Sequence, residues 1–190
     1  MDYDIRAAES DEELRRILSL QAANLRAKLD PVTRRSQGFV TLCHDLELLR
    51  SMCGRWQHVV AASLAGDVVA YALVMLVEFR SRLPDLDAMF ERLQRLSFKG
   101  RPIPDLRFYI MGQICVAREH RGRGLVEQLY AEHRRRMSPH FDLMVTEIDH
   151  ENPRSLRAHE KAGFQVVDEY RGDDGRQWLV VVMDLRPTAG

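Results

Sequence analysis

The sequence predicts an α/β fold: one mixed sheet with a central parallel strand pair and helices on both faces. Three observations predict it. Two apolar runs, "LRFYIMGQICV" and "FDLMVTEI", are each followed by a turn and a helical pattern, as a strand–helix–strand crossover requires. Two β-rich runs, "QHVVAASL" and "VVAYALVMLVEF", precede them around a Gly-Asp turn. A closing pair, "FQVVDEYRG" and "RQWLVVVMDL", follows around "DDG". Hairpins on either side place antiparallel strands outside the parallel pair.

Taken in order, residues 3–7 read as a short first strand. "SDEELRRILSLQAANLRAKL" reads as a helix, with Ser10 and Glu13 spaced as a capping box. "DPVTRRSQGFV" reads as a loop, and "HDLELLRSMCGRW" as a second, shorter helix. After the first hairpin, Leu86, Met89, Phe90 and Leu93 fall at helical spacing, which predicts an inserted helix. "KGRPIPD" breaks it. "GRGLVEQLYAEHRRRM" is a helix ended by Ser138-Pro139. Its last turn, Arg134 to Arg136, suits the negative end of the helix dipole and reads as a solvated face. "NPRSLRAHEKAG" is a short helix capped by Asn152, with Pro153 at its first position and Gly163 at its end.

The 190 residues suit a single domain, residues 1–190, with a variable N-terminal part (1–56) ahead of the core (57–185). The 45% apolar content is enough for a full core without disulfides or metals. Twenty-eight basic residues balance twenty-eight acidic ones, which argues against nucleic-acid binding. Cys43, Cys53 and Cys115 form no CxxC pair, so reduced thiols and a cytoplasmic location are the plain expectation. No signal peptide is visible, and the longest apolar run is too short to cross a bilayer. No membrane partner is expected.

On a chain with no net charge, "REHRGRGLVEQLY" concentrates three arginines and two glycines where a helix begins. The first turn of a helix leaves N–H groups unpaired, and with the dipole they make an anion site. Gly122 and Gly124 let a phosphate approach the backbone. Alone, the stretch reads equally as a sharp helix start with arginines in solvent. It is neither a P-loop nor a GxGxxG fingerprint.

Together with "NPRSLRAHEKAGF", this stretch resembles the GCN5-related N-acetyltransferase (GNAT) family. Arg121-Gly122-Arg123-Gly124-Leu125-Val126 resembles its Arg/Gln-x-x-Gly-x-Gly/Ala signature, with Val126 replacing the small residue. Asn152, Ser155, Glu160, Lys161, Gly163 and Phe164 fall in register with a second block. The resemblance covers about residues 57–185. It implies acetyl-CoA as co-substrate and a splayed central strand pair. Ile114, Cys115 and Val116 would pair with the pantetheine arm, and Gly122, Arg123, Gly124, Leu125, Val126 and Glu127 would meet the pyrophosphate beside Arg121. Asn152 and Ser155 would reach the cofactor from the other side.

Acetyl transfer to an amine needs a base, and Glu147 stands at the end of an otherwise apolar strand. The resemblance implies a catalytic glutamate here. It also implies a tyrosine acid in the following helix, where this chain has His159. Alternatives are a structural or substrate-binding carboxylate and a structural histidine. Cys115 reads as a small apolar residue. Gln113, Phe39 and His150 are expected at the acceptor, with Arg34, Arg35 and Gln37 in a lid. The spacing of Glu147, Asp149, His150 and His159 matches no metal motif. The acceptor is expected to be a small-molecule or peptide amine, the transfer direct, and a homodimer is the expected assembly. Rival readings are another acyl-CoA, a hydroxyl acceptor, a non-catalytic acyl-CoA sensor, and an RNA arm.

Overall fold

The computed structural model describes residues 2–186. Seven strands form one sheet: β1 (Asp4–Ala7), β2 (Val59–Ala62), β3 (Val68–Met75), β6 (Phe108–Val116), β7 (Leu143–Asp149), β8 (Gln165–Arg171) and β9 (Gln177–Asp184). Their order across the sheet is β1-β2-β3-β6-β7-β9-β8. A separate ribbon pairs β4 (Ser97–Phe98) with β5 (Arg101–Pro102). Six helices are present among the described residues: α1 (Asp11–Asn24), α2 (Pro31–Gln37), α3 (Leu46–Met52), α4 (Asp87–Leu93), α5 (Leu125–Met137) and α6 (Pro153–Ala162).

The pairs are antiparallel except β6 and β7. That parallel pair is short. It holds register at Phe108↔Leu143, Tyr109↔Met144 and Ile110↔Val145, and there it ends. Both strands continue, β6 to Val116 and β7 to Asp149, so they diverge. On its other edge β6 meets β3 through an irregularity: Ala72 pairs with Ile114 but Val74 pairs with Met111. The extra residue on β6 at this bulge re-aims the strand. β7 stays in unbroken register with β9 from Leu143 to Asp149. One strand bends away while the other is held, and a V-shaped gap opens.

Period-two alternation assigns side chains to the two faces. Tyr71 and Leu73 of β3 pack with Ile17 of α1 and Leu49 of α3. Ala70 and Ala72 pack with Leu125 and Leu129 of α5. On β7, Leu143 and Val145 join Met89 and Phe90 of α4, while Met144 and Ile148 join Tyr130 and Phe164. Helices α1, α3 and α4 therefore cover one face, and α5 and α6 the other.

Three expectations are corrected. The loop at 30–40 contains α2, because Asp30 caps it by accepting from Val32 N (2.9 Å) and Thr33 N (3.0 Å) and Pro31 sits in its first turn. The inserted helix is only Asp87–Leu93, preceded by tight 3₁₀ turns. β3 stops at Met75, ahead of the turn at Val77–Arg82.

Candidate functional site

The gap is entered from the α5 side past the turn that follows β6. Gly122 has φ 75° and Gly124 φ 73°, a left-handed backbone that side chains with a Cβ rarely adopt. Gly124 is the N-cap of α5 and offers no side chain to its first-turn N–H groups. A Cβ on Gly122 would meet nothing within 4 Å, so the turn is open to a ligand.

Above this turn lies a cleft of about 460 Å³. Ile114, Cys115 and Val116 line its floor, with Arg121, Gly122, Gly124, Leu125, Val126, Glu127, Asn152 and Ser155 around it. Of the residues expected to meet the cofactor, Arg123 alone is not in the lining. Its Nη1 donates to Tyr3 Oη (3.1 Å) and its Nη2 to Glu119 O (3.1 Å), which turns it toward the N-terminal strand. Val126 is partly buried against the cluster holding Tyr130 and Phe164, and its remaining surface borders the cleft. Ala117 N donates to Val69 O of β3 (2.8 Å). Amides alternate sides along a strand, so the N–H groups of Val116 and Ile114 face the gap.

The sequence reading missed Arg154, Arg157 and Lys161. Their spacing puts them on one face of α6, and all three line the cleft. With the helix dipole of α5 they give the cleft a positive wall. Lys161 is paired with Glu127 across it.

Two residues expected to face the cofactor have most of their bonding capacity engaged elsewhere. Arg121 donates to Val116 O (3.0 Å), Gln37 O (3.0 Å), Gln37 Oε1 (3.1 Å) and Asn24 Oδ1 (2.6 Å). Asn152 donates to Phe39 O (2.9 Å) and accepts from Ser155 N (3.3 Å). Arg154 Nη1 donates to Ser36 O (3.1 Å). Together they clasp the segment 36–39 across the mouth of the gap.

On the opposite side is a smaller cavity of about 60 Å³. It shares Phe39, Ile114, Asn152, Ser155 and His159 with the larger cleft, so the two adjoin through the splay. Glu147 lines it. Burial holds this carboxyl up to about 7, although Tyr170 Oη donates to its Oε2 at 2.5 Å and pulls the other way. Oε1 makes no hydrogen bond among the described residues. Gln113 lines the same cavity, but it is a strut: Tyr71 Oη donates to its Oε1 (2.6 Å) and its Nε2 donates to Leu42 O (2.9 Å). His150 is exposed and lines neither cavity, because β7 has ended and the chain turns outward there.

His159 lies beside both cavities but is built as a structural group. Nδ1 lies 2.8 Å from Ser155 O, which can only accept, so Nδ1 carries the proton. Nε2 then accepts from Tyr130 Oη at 2.7 Å. Burial lowers its pKa to about 4, so the ring is neutral with both nitrogens occupied. This arrangement supports the structural reading of His159 over that of an acid. Burial pushes the Cys115 thiol up to about 12, which removes it as a nucleophile at neutral pH. Among the described residues, no three His, Cys, Asp or Glu side chains converge as a metal site, and no helix is long and apolar enough to cross a membrane.

The model of the acetyltransferase (GNAT) family matches residues 30–164. No curated protein sequence matches. Among solved structures the chain is similar to a GNAT superfamily phosphinothricin acetyltransferase from Sinorhizobium meliloti in complex with acetyl-CoA, with TM-score 0.65 and 18% identity over 100% of this chain and 92% of that one. It is similar to yncA from Salmonella typhimurium with its cofactor acetyl-CoA, with TM-score 0.62 and 16% identity over 100% and 98%. A third likeness is the NatC complex bound to Gag peptide and CoA, with TM-score 0.65 and 13% identity over 97% and 99%. At these identities the likeness is one of fold.

Proposed function

We propose, since this chain belongs to the acetyltransferase (GNAT) family, that it is an acetyl-CoA-dependent N-acetyltransferase acting by direct transfer to a primary amine. One observation carries the reading. An open, glycine-made turn at a helix N-terminus and a half-buried carboxyl with a pKa near 7 stand on opposite sides of a single gap between two splayed strands. The first can hold a diphosphate. The second can take a proton from an ammonium near neutral pH.

The first-turn amides of α5 from Leu125 to Glu127 would hold the pyrophosphate, with Arg154, Arg157 and Lys161 adding positive potential. The gap-facing N–H groups of Ile114 and Val116 would pair with the pantetheine arm. When bound, acetyl-CoA supplies a thioester-activated acetyl group. Glu147 accepts the acceptor's ammonium proton, directly or through a water, and Tyr170 holds its carboxyl in one orientation. His159 positions α6 through Tyr130 and carries no proton in the reaction.

Calorimetry with acetyl-CoA, followed by assay of thiol release with an amine panel, tests this. Micromolar binding with amine-dependent release is expected. No binding below millimolar concentrations overturns the cofactor reading. Binding without release across a broad panel overturns the transfer reading in favour of a sensor.

A further inference from the structure

The cavity beside Glu147 has a distinctive chemistry. Its walls are Leu86 and Met89 from the insert, Met111 and Ile148 from the splayed strands, Phe39 and Trp178. Its charged residues are Glu147 and Asp149, and no Lys or Arg lines it among the described residues. The guanidiniums around it are ion-paired, although Arg26 Nε is buried without a hydrogen-bond partner. Arg26 meets Glu151 (2.6 Å) and Asp149 (3.5 Å). Arg176 meets Asp174 (2.5 Å) and Asp149 (3.4 Å) and lies over the Trp178 ring. Arg92 meets Asp168. The charge of Arg176 reaches Glu147 from outside the lining, and Asp174 and Asp85 oppose it; Asp85 has no ion-pair partner among the described residues.

An amino acid brings a carboxylate within a few ångströms of its amine. Seated here, that carboxylate would be desolvated beside Glu147 with no cation in the cavity lining to receive it, which is costly. An ammonium on an apolar body meets the opposite situation, with negative charge at the amine and apolar walls around the rest. The carbonyl of an amide is intermediate, because it brings no charge, while Gln113 and Asn152 in the lining each have one of their two side-chain N–H groups engaged, with Leu42 O and Phe39 O.

We infer that the acceptor is an alkylamine or arylalkylamine with no anionic group beside its amine, and that amino acids are rejected. This rests on the acetyl-transfer reading above and names its substrate class.

The test uses matched sets at saturating acetyl-CoA: 3-methylbutylamine, leucinamide and leucine, then phenylethylamine, phenylalaninamide and phenylalanine. Thiol release and product mass are read, and acetyl-CoA binding is measured separately by calorimetry. The amine is expected to exceed its amino acid in kcat/KM by about 100-fold, with the amide between, since an unpaired polar group left in a site is strongly discriminated. A ratio below tenfold in both sets overturns the inference. So does the absence of transfer to either amine by protein that binds acetyl-CoA. Failure to bind acetyl-CoA instead overturns the reading beneath it.

Discussion

The two sides of the splay are built by opposite means. On the α5 side the binding surface is mostly backbone, with a bare strand edge and a helix start cleared by two glycines. On the Glu147 side it is side chains drawn from the N-terminal segment, the insert and three strands. A backbone surface spreads recognition over many weak donors. The other side concentrates its chemistry in one carboxyl whose proton affinity depends on its burial. Loss of a single side chain should therefore weigh more heavily on the second side than on the first.

Glu147→Gln tests that contrast most sharply. A general base contributes about 10²- to 10⁴-fold, so kcat/KM should fall at least 100-fold with acetyl-CoA affinity unchanged. In the wild type, kcat/KM should fall tenfold per pH unit below about 7, where the carboxyl takes up its proton. A fall of less than threefold would remove Glu147 from the chemistry. The same change should stabilise the fold. A carboxyl whose native pKa is raised to about 7 from 4.5 binds protons more tightly when folded. Its ionised form thus destabilises the native state increasingly between pH 4.5 and 7. The Gln variant should gain about 1–3 kcal/mol at pH 8 and lose that advantage near pH 5, as read by urea unfolding.

Arg121→Met tests whether the two sides are mechanically joined. It leaves Asn24 Oδ1, Gln37 O and Val116 O without their donor, and should cost about 2–3 kcal/mol of stability. Acceptor KM should rise more than the Kd of acetyl-CoA. Equal changes in the two would show that Arg121 serves the cofactor alone.

Gly124→Val challenges the backbone side. A β-branched residue at φ 73° should weaken acetyl-CoA binding about tenfold by calorimetry, since left-handed backbone disfavours a Cβ by about 1–2 kcal/mol. Unchanged affinity would break the idea that the turn is the anion site. The smallest effect is expected from His159→Gln: a fall in kcat below tenfold, with the pH profile unmoved. A 100-fold fall, or a displaced limb, would restore the histidine as an acid.

Legibility in the sequence follows the same divide. Gly122 and Gly124 are readable because a left-handed backbone leaves glycine as its mark. Asn152-Pro153 is readable because caps are local. Glu147 stands out as an acid in an apolar strand. Arg154, Arg157 and Lys161 were within reach through their spacing, had the wall they face been known. The clasp of Arg121 on Asn24 was not, since it joins residues 97 positions apart and only folding brings them together. The roof of Leu86 and Met89 reads as ordinary core spacing, and nothing local tells which apolar side chains border a cavity. His159 was left between acid and structural group for a related reason. A histidine's role depends on what occupies its two nitrogens, and here Tyr130 and Ser155 occupy both.

Arg154 grips Ser36 O, Arg121 grips Gln37 O, Asn152 grips Phe39 O and Gln113 grips Leu42 O. All four handles are main-chain carbonyls, which every amino acid supplies. Apart from Gly38, where φ is 74° and an added Cβ would sit 3.1 Å from Asn152 Oδ1, and the buried Phe39 and Leu42, the segment can therefore change in composition without losing its seat. Descendants of this scaffold can exchange the residues that greet the acceptor while keeping the same mounting, which makes this stretch a ready place to diversify or engineer amine preference.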